Sequence, residues 1–222
     1  MAEKMKMNLI DLTHPLVNDK SAYPGASAPE FSWHSTFESK GRMSSIIKMP
    51  THCGTHVDAP LHFIPGGTSI DQLPLASFCG YARVIDLSRC SCQNRVISES
   101  DFFDSAKEIH KGETAIIYTG IDSHFGTTKY LSEMVALPTA CVQWLVMQGI
   151  AAYGTDADSV DLIEGSEFPN HKILLGAGIP VIEGLNNLGA LPKGLFFFSA
   201  FPLSLQGREA SPCRAVAFPD MK

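Results

Sequence analysis

Short apolar runs alternate along the chain with polar, turn-forming segments, and the period and flanking residues of each run separate strands from helices. Residues 7–16, "MNLIDLTHPL", read as a strand leaving into a turn, and 22–31, "AYPGASAPEF", as a proline- and glycine-rich loop. Residues 43–50 predict a strand. Residues 69–80 predict a short helix or turn closed by Gly80, and 81–88 an alternating strand. The best helix pattern runs over 98–112, with Ser98 or Ser100 as cap, acidic residues in the first turn and Gly112 as stop. A buried strand over 114–120 follows, then a helix over 137–150 with Pro138 in its first turn. A strand over 151–156, a short helix over 170–178 and a buried strand over 179–184 come next. The runs "LFFFSAFPL" and "CRAVAFP" close the chain as strands, with Phe196, Phe197 and Phe198 as core residues. Strand and helix alternate through the middle between strand-rich ends, which predicts an α/β fold with a mixed sheet over residues 1–222 as one domain.

One stretch does not fit that alternation. "HCGTHVDAPLHF", residues 52–63, holds three histidines and an aspartate around a glycine and a proline. Eight histidines in 222 residues predict about 0.4 in an eleven-residue window, so chance is a poor account of three. His52, His56, Asp58 and His62 occupy even positions and would share one face of an extended chain. A helix would put Asp58 about 240° around the axis from His52, and Gly54 and Pro60 oppose a continuous helix. An extended or looping segment with converging side chains is expected. Imidazole and carboxylate together are a ligand set for zinc, manganese or iron. Downstream, His171 begins a short helix and Glu183 sits in the apolar run "IPVIEGL". A carboxylate there needs a partner: a metal, or an ion pair to Lys172 or Arg208.

Composition narrows the function classes. Hydrophobic residues make up 45% and charged residues 18%, an ordinary globular balance. The formal charge of −6, with no block of lysine and arginine, argues against a nucleic-acid or anionic-membrane partner. No apolar run approaches the ~20 residues that cross a bilayer, and the N-terminus lacks the apolar core of a signal peptide, so a cytoplasmic location is expected. The six cysteines are scattered apart from Cys90 and Cys92, which form C-x-C, so inert thiols are expected rather than disulfides. Cys53 falls at an odd position, which points it away from the shared face and against a nucleophilic role. His34, His110 and His124 read as surface residues, and His14 has no assigned role. Asp156, Ser159 and Asp161 suit either ligand orientation or capping of the next helix.

The run 52–63 resembles the H-x-G-T-H-x-D-x-P-x-H-F signature of the cyclase-like metal hydrolases, a family that includes bacterial kynurenine formamidase (arylformamidase) and isatin hydrolase. The similarity continues through "IDLTHPL", "AYPG", "IDQLPL", "GTDADSVD" and "HKILLGAGIPVIEGLNNL", and covers most of the chain. It implies a swivelling β/β/α domain in homodimers or higher oligomers. It implies that His52, His56 and Asp58 bind a first metal, with Asp58 bridging to a second bound by His171, and Glu183 shared between the two. His62 would be the catalytic acid/base. Tyr23 stands where the family's formamidases usually carry a tryptophan before Pro-Gly, and would stack on an aryl ring. Glu183 keeps a charge that isatin hydrolase-like members can replace with an amide, which leans toward the two-metal formamidase type. The expected activity is hydrolysis of a small-molecule amide, N-formylkynurenine-like, by a metal-activated hydroxide with two zinc or manganese ions per subunit. The alternatives are a cyclic amide or lactone hydrolase and a non-catalytic metal-binding protein.

Overall fold

The computed structural model describes residues 8–23, 25–165 and 167–221. The chain opens with β1 (Ile10–Asp11), then an antiparallel hairpin of β2 (Glu30–Ser35) and β3 (Ser44–Lys48) joined through the single-turn helix α1 (Phe37–Lys40). β4 (His56–Asp58) and β5 (Cys79–Asp86) follow, then the small hairpin β6 (Cys92–Gln93) and β7 (Val96–Ile97). Next come α2 (Glu99–Ser105), β8 (Thr114–Tyr118), α3 (Thr128–Ser132), α4 (Thr139–Gln148) and β9 (Ala152–Thr155). The chain ends with α5 (Pro169–Gly176), β10 (Val181–Glu183), β11 (Phe196–Pro202) and β12 (Ala210–Phe218).

Eight strands form one mixed sheet in the order β1-β12-β11-β5-β8-β9-β10-β4. β5, β8, β9 and β10 run parallel, as their helical crossovers require, and the rest pair antiparallel. β4 pairs with β10 on one side and with the start of β12 on the other, so the sheet closes into a barrel. This is the α/β architecture with a mixed sheet that the swivelling β/β/α class describes.

The strands divide the core by alternation. Ile116, Val57, Ile182, Phe196 and Phe198 face one buried cluster that excludes the long helices. Ala115, Ile117, Tyr153 and Val181 point the other way, toward Phe102 of α2, Leu145 of α4 and Leu174 of α5. With Val57 turned into the first cluster, its neighbours His56 and Asp58 face the helix side of the barrel wall, where α5 lies.

Several expected boundaries shift, each for a local reason. The helix expected over 98–112 stops at Ser105; Ser98 caps it as expected, but Ala106 and Ile109 turn into the core. Pro138 is the residue preceding α4 and not part of its first turn. Gly80 closes nothing: 70–72 and 75–77 are two separate 3-10 turns, and Gly80 lies inside β5, paired with Phe198. β2 was not expected, although "EFSWHS" alternates polar and apolar residues, because the proline- and glycine-rich loop read over 22–31 runs into its first two residues.

Candidate metal centre

The 52–63 run is not one extended segment. Residues 51–55 bend, with Gly54 at φ +62°, which a glycine tolerates without strain. His56–Asp58 is a short strand, and Pro60–His62 a 3-10 turn with Pro60 at its first position. The even-position rule holds only for His56 and Asp58; the bend delivers His52 and the turn delivers His62.

Tertiary pairing supplies the remaining groups. In the β4–β10 ladder Glu183 lies directly opposite His56 and Val181 opposite Asp58, so Glu183 joins the face of the two β4 side chains. Its carboxylate reaches His56 Nε2 at 3.4 Å and His171 Nε2 at 3.3 Å, and accepts the Val160 N–H at 2.9 Å. Neither Lys172 nor Arg208 pairs with it among the described residues. Asp58 Oδ1 lies 2.9 Å from His52 Nδ1 and 3.4 Å from His56 Nε2, and Asp58 Oδ2 lies 3.7 Å from His171 Nε2.

These contacts are close without hydrogen-bond alignment. Both Asp58 oxygens and His56 Nε2 are buried with no hydrogen-bond partner among the described residues, at a site where a buried carboxylate cannot be left bare. A cation among them satisfies all three at once. His52, His56 and Asp58 offer ligand atoms within 4.8 Å of one another, and so do Asp58, His62 and His171; Asp58 belongs to both groups. The donor set, imidazole with carboxylate, fits zinc or manganese. His62 is thus within ligand range as well as beside the site, its ring 4.2 Å from that of His52.

Electrostatics agree with a cation-seeking site. Burial opposes protonation of His56, but Asp58 and Glu183 beside it prevail and hold its pKa well above the usual imidazole value. Burial likewise opposes the charge on His171, yet its bonds to Asp161, Asp58 and Glu183 push its pKa up to about 11. Protons thus stand in for metal, and a divalent ion would displace them. His62 is half-buried, and burial depresses its pKa despite the charge of Asp58.

A supporting shell fixes the rings. His56 Nδ1 lies 2.8 Å from the Gly54 carbonyl, and His171 Nδ1 lies 2.8 Å from Asp161 Oδ2. Asp161 also accepts the Asn170 and His171 N–H groups at 3.0 Å each, so it both caps α5 and orients His171. Ser159 accepts the Asp161 N–H and lines the site. Asp156 does neither: it accepts the N–H groups of Thr119, Gly120 and Ile121 in a neighbouring turn. Glu209, 3.5 Å from His52 Nε2 and bonded by Thr51, carried no sequence signal, because it belongs to the distant start of β12.

His52, His56, His62, Ser159, His171 and Glu183 open into a cavity of about 400 Å³, also lined by Tyr23, Phe63, Ile163, Phe168 and Asp158. That size suits a small molecule. Tyr23 lines the cavity wall. Burial and the charge of Asp158 raise its phenol pKa. Cys53 lines the cavity despite its odd position, but burial raises its thiol pKa and keeps the nucleophilic thiolate scarce. All six cysteines are free. His34 and His110 are exposed, and His124 is half-buried beside Glu133. His14 is buried, stacked on Phe125 at 3.8 Å and away from the cavity. Phe196 and Phe198 are core residues as expected. No described helix is long and apolar enough to cross a membrane.

Residues 10–162 match the Cyclase family model. Kynurenine formamidase from Salinibacter ruber is 32% identical over 215 residues, which span 95% of this chain and 97% of that protein. Kynurenine formamidase from Erythrobacter litoralis is 30% identical over 96% of this chain and 94% of its own. Among solved structures, isatin hydrolase A from Labrenzia aggregata, bound to benzyl benzoate, superposes with a TM-score of 0.84 at 26% identity, over 95% of this chain and 93% of that one.

Proposed function

The chain belongs to the Cyclase family of metal-dependent hydrolases, and from that premise we propose that it is an arylformamidase acting on N-formylkynurenine-like substrates. It is a metal-dependent hydrolase of an amide or cyclic amide bond. What carries the arylformamide reading is the buried, unpartnered His56 Nε2, with the unpartnered Asp58 carboxylate behind it, in a cavity walled by Tyr23, Phe63 and Phe168. An aromatic amide fits such walls, with its carbonyl toward the ligands.

In this reading His52, His56 and Asp58 hold one divalent ion. Asp58 and His171 would hold the second, with Glu183 shared between the two, and the ions would be zinc or manganese. Divalent ions so held polarise a carbonyl and bring the pKa of water down toward ~7. The chain's own residues do the rest. Asp161 and the Gly54 carbonyl fix the tautomers of His171 and His56. His62, kept neutral by burial, takes a proton from the attacking water at a ring nitrogen. It then gives that proton to the leaving aryl nitrogen, without which an anilide leaves poorly. Tyr23 stacks on the aryl ring. The 1–222 chain acts as one catalytic domain, and the exposed β2–β3 hairpin supports a homodimer or higher oligomer.

The test is product analysis after zinc or manganese reconstitution. N-formylkynurenine should release formate in equimolar yield with the aryl amine. Ring opening of isatin without formamide turnover would favour the cyclic-amide reading, which the similarity to isatin hydrolase A supports. No metal-dependent turnover on either, or on a lactone panel, would sink both.

A further inference from the structure

Asp158 is a charged residue of the cavity to which neither the signature nor the ligand set assigns a role. It lies in the segment between β9 and α5, partly buried, on the wall shared with Tyr23 and Ser159. Its carboxylate is not among the ligand atoms that converge on a metal position. It is close enough to Glu183, His56, Asp58 and His52 for their charges to act on it, yet no side chain or backbone N–H among the described residues pairs with it. Burial, with Glu183 and Asp58 adding to it, pushes its pKa up to about 6. Divalent ions at the neighbouring ligands would favour its charged form.

The positive charge of this cavity belongs to the metal centre and its histidines; no lysine or arginine lines the wall among the described residues. A substrate's anionic substituent seated against Asp158 would make a like-charge juxtaposition with no lysine or arginine to relieve it, which disfavours the ligand. A substrate's ammonium would give Asp158 the partner it lacks, in a charge-assisted hydrogen bond. The carboxylate therefore reads as half of an ion pair completed by the ligand.

We propose that Asp158 is a specificity-determining residue that selects aryl amides carrying a protonated amine over neutral or acidic analogues of the same size. This rests on the arylformamidase reading for the amide, but the amine preference can be measured without turnover.

The binding test compares 2-phenylethylamine with 2-phenylethanol by calorimetry on the zinc-loaded protein. The amine should bind at least tenfold more tightly to the wild type, and the ratio should fall to about one in Asp158→Asn of unchanged zinc content. Equal affinities in the wild type overturn the proposal. So does an amine advantage that survives Asp158→Asn, since the amine would then be held elsewhere, for example by the zinc. If Asp158→Asn fails to fold, Asp158→Ser takes its place, and the wild-type comparison stands regardless. In parallel, 2-(2-aminoethyl)formanilide should exceed 2-(2-hydroxyethyl)formanilide in kcat/KM through a lower KM, and Asp158→Asn should erase that difference. Turnover of neither formanilide would reject the formamidase reading alone, leaving the binding pair to decide the role of Asp158.

Discussion

His62 and His171 share one cavity with opposite electrostatics. Burial depresses His62, while Asp161, Asp58 and Glu183 raise His171 to about 11. A neutral ring can take up and pass on a proton, and a ring wrapped in carboxylates binds a cation. His62→Ala should therefore keep the metal content of the wild type by elemental analysis and lose about 10²–10⁴-fold in kcat. An ion lost from His62→Ala would make His62 a ligand, a role its distance to Asp58 and His171 also permits. Asp161→Asn removes the charge that holds His171 Nδ1. It should weaken metal binding by about 10–100-fold, read by competition with a chromophoric chelator. Unchanged affinity would leave Asp161 as a helix cap alone.

At the scale of elements, the site depends on two neighbouring turns. Gly184, following β10, has φ +63°, and a Cβ there would come within 2.7 Å of the Gly54 carbonyl oxygen, in the bend that carries His52. The same carbonyl accepts from His56. Gly184→Ala must push the two turns apart and strain a positive φ, so a loss of about 2 kcal/mol or more in urea unfolding is expected. Metal affinity should fall with it, because His52 and His56 move together with that bend. A folded variant of wild-type affinity would show that the close approach is incidental.

Across the whole molecule, two features lie outside the cavity. His14 is 5% exposed, stacked on Phe125, with Nε2 unpartnered. Burial lowers its pKa from 6.5 to about 4. Between those values the unfolded chain binds the proton and the folded chain does not. The neutral ring's contribution is therefore complete above about pH 6.5 and is lost as pH falls toward 4, by on the order of 3 kcal/mol. Replacement by His14→Phe should flatten that limb of the stability–pH curve relative to the wild type; an unchanged slope would place the transition elsewhere. The β2–β3 hairpin pairs with no strand of the barrel sheet and exposes Trp33 (66%), Phe37 (66%), Ile46 (54%) and Ile47 (59%). Such an arm suits a second copy of the chain. Light scattering should report at least a dimer, and Ile47→Glu should shift it toward monomer; a monomeric wild type would dismiss the arm as an interface.

The sequence by itself determined the chemistry. Three histidines and an aspartate within eleven residues and the alternation of strand and helix were legible because local pattern and residue type carry them, whereas His171 and Glu183 joined the set through the family resemblance. His56 and Asp58 could be placed on one face, since a strand's period is local. What the residues meet was decided in tertiary structure. Glu183 faces His56 through a strand register, which pairs residues far apart in sequence. Asp161 meets His171 at the start of α5, Glu209 meets His52 across the β4–β12 side of the barrel, and Cys53 turns into the cavity because the chain bends at Gly54. Asp158 acquires its meaning from a cavity wall without lysine or arginine among the described residues, and that is a property of an enclosed wall, which no local pattern records.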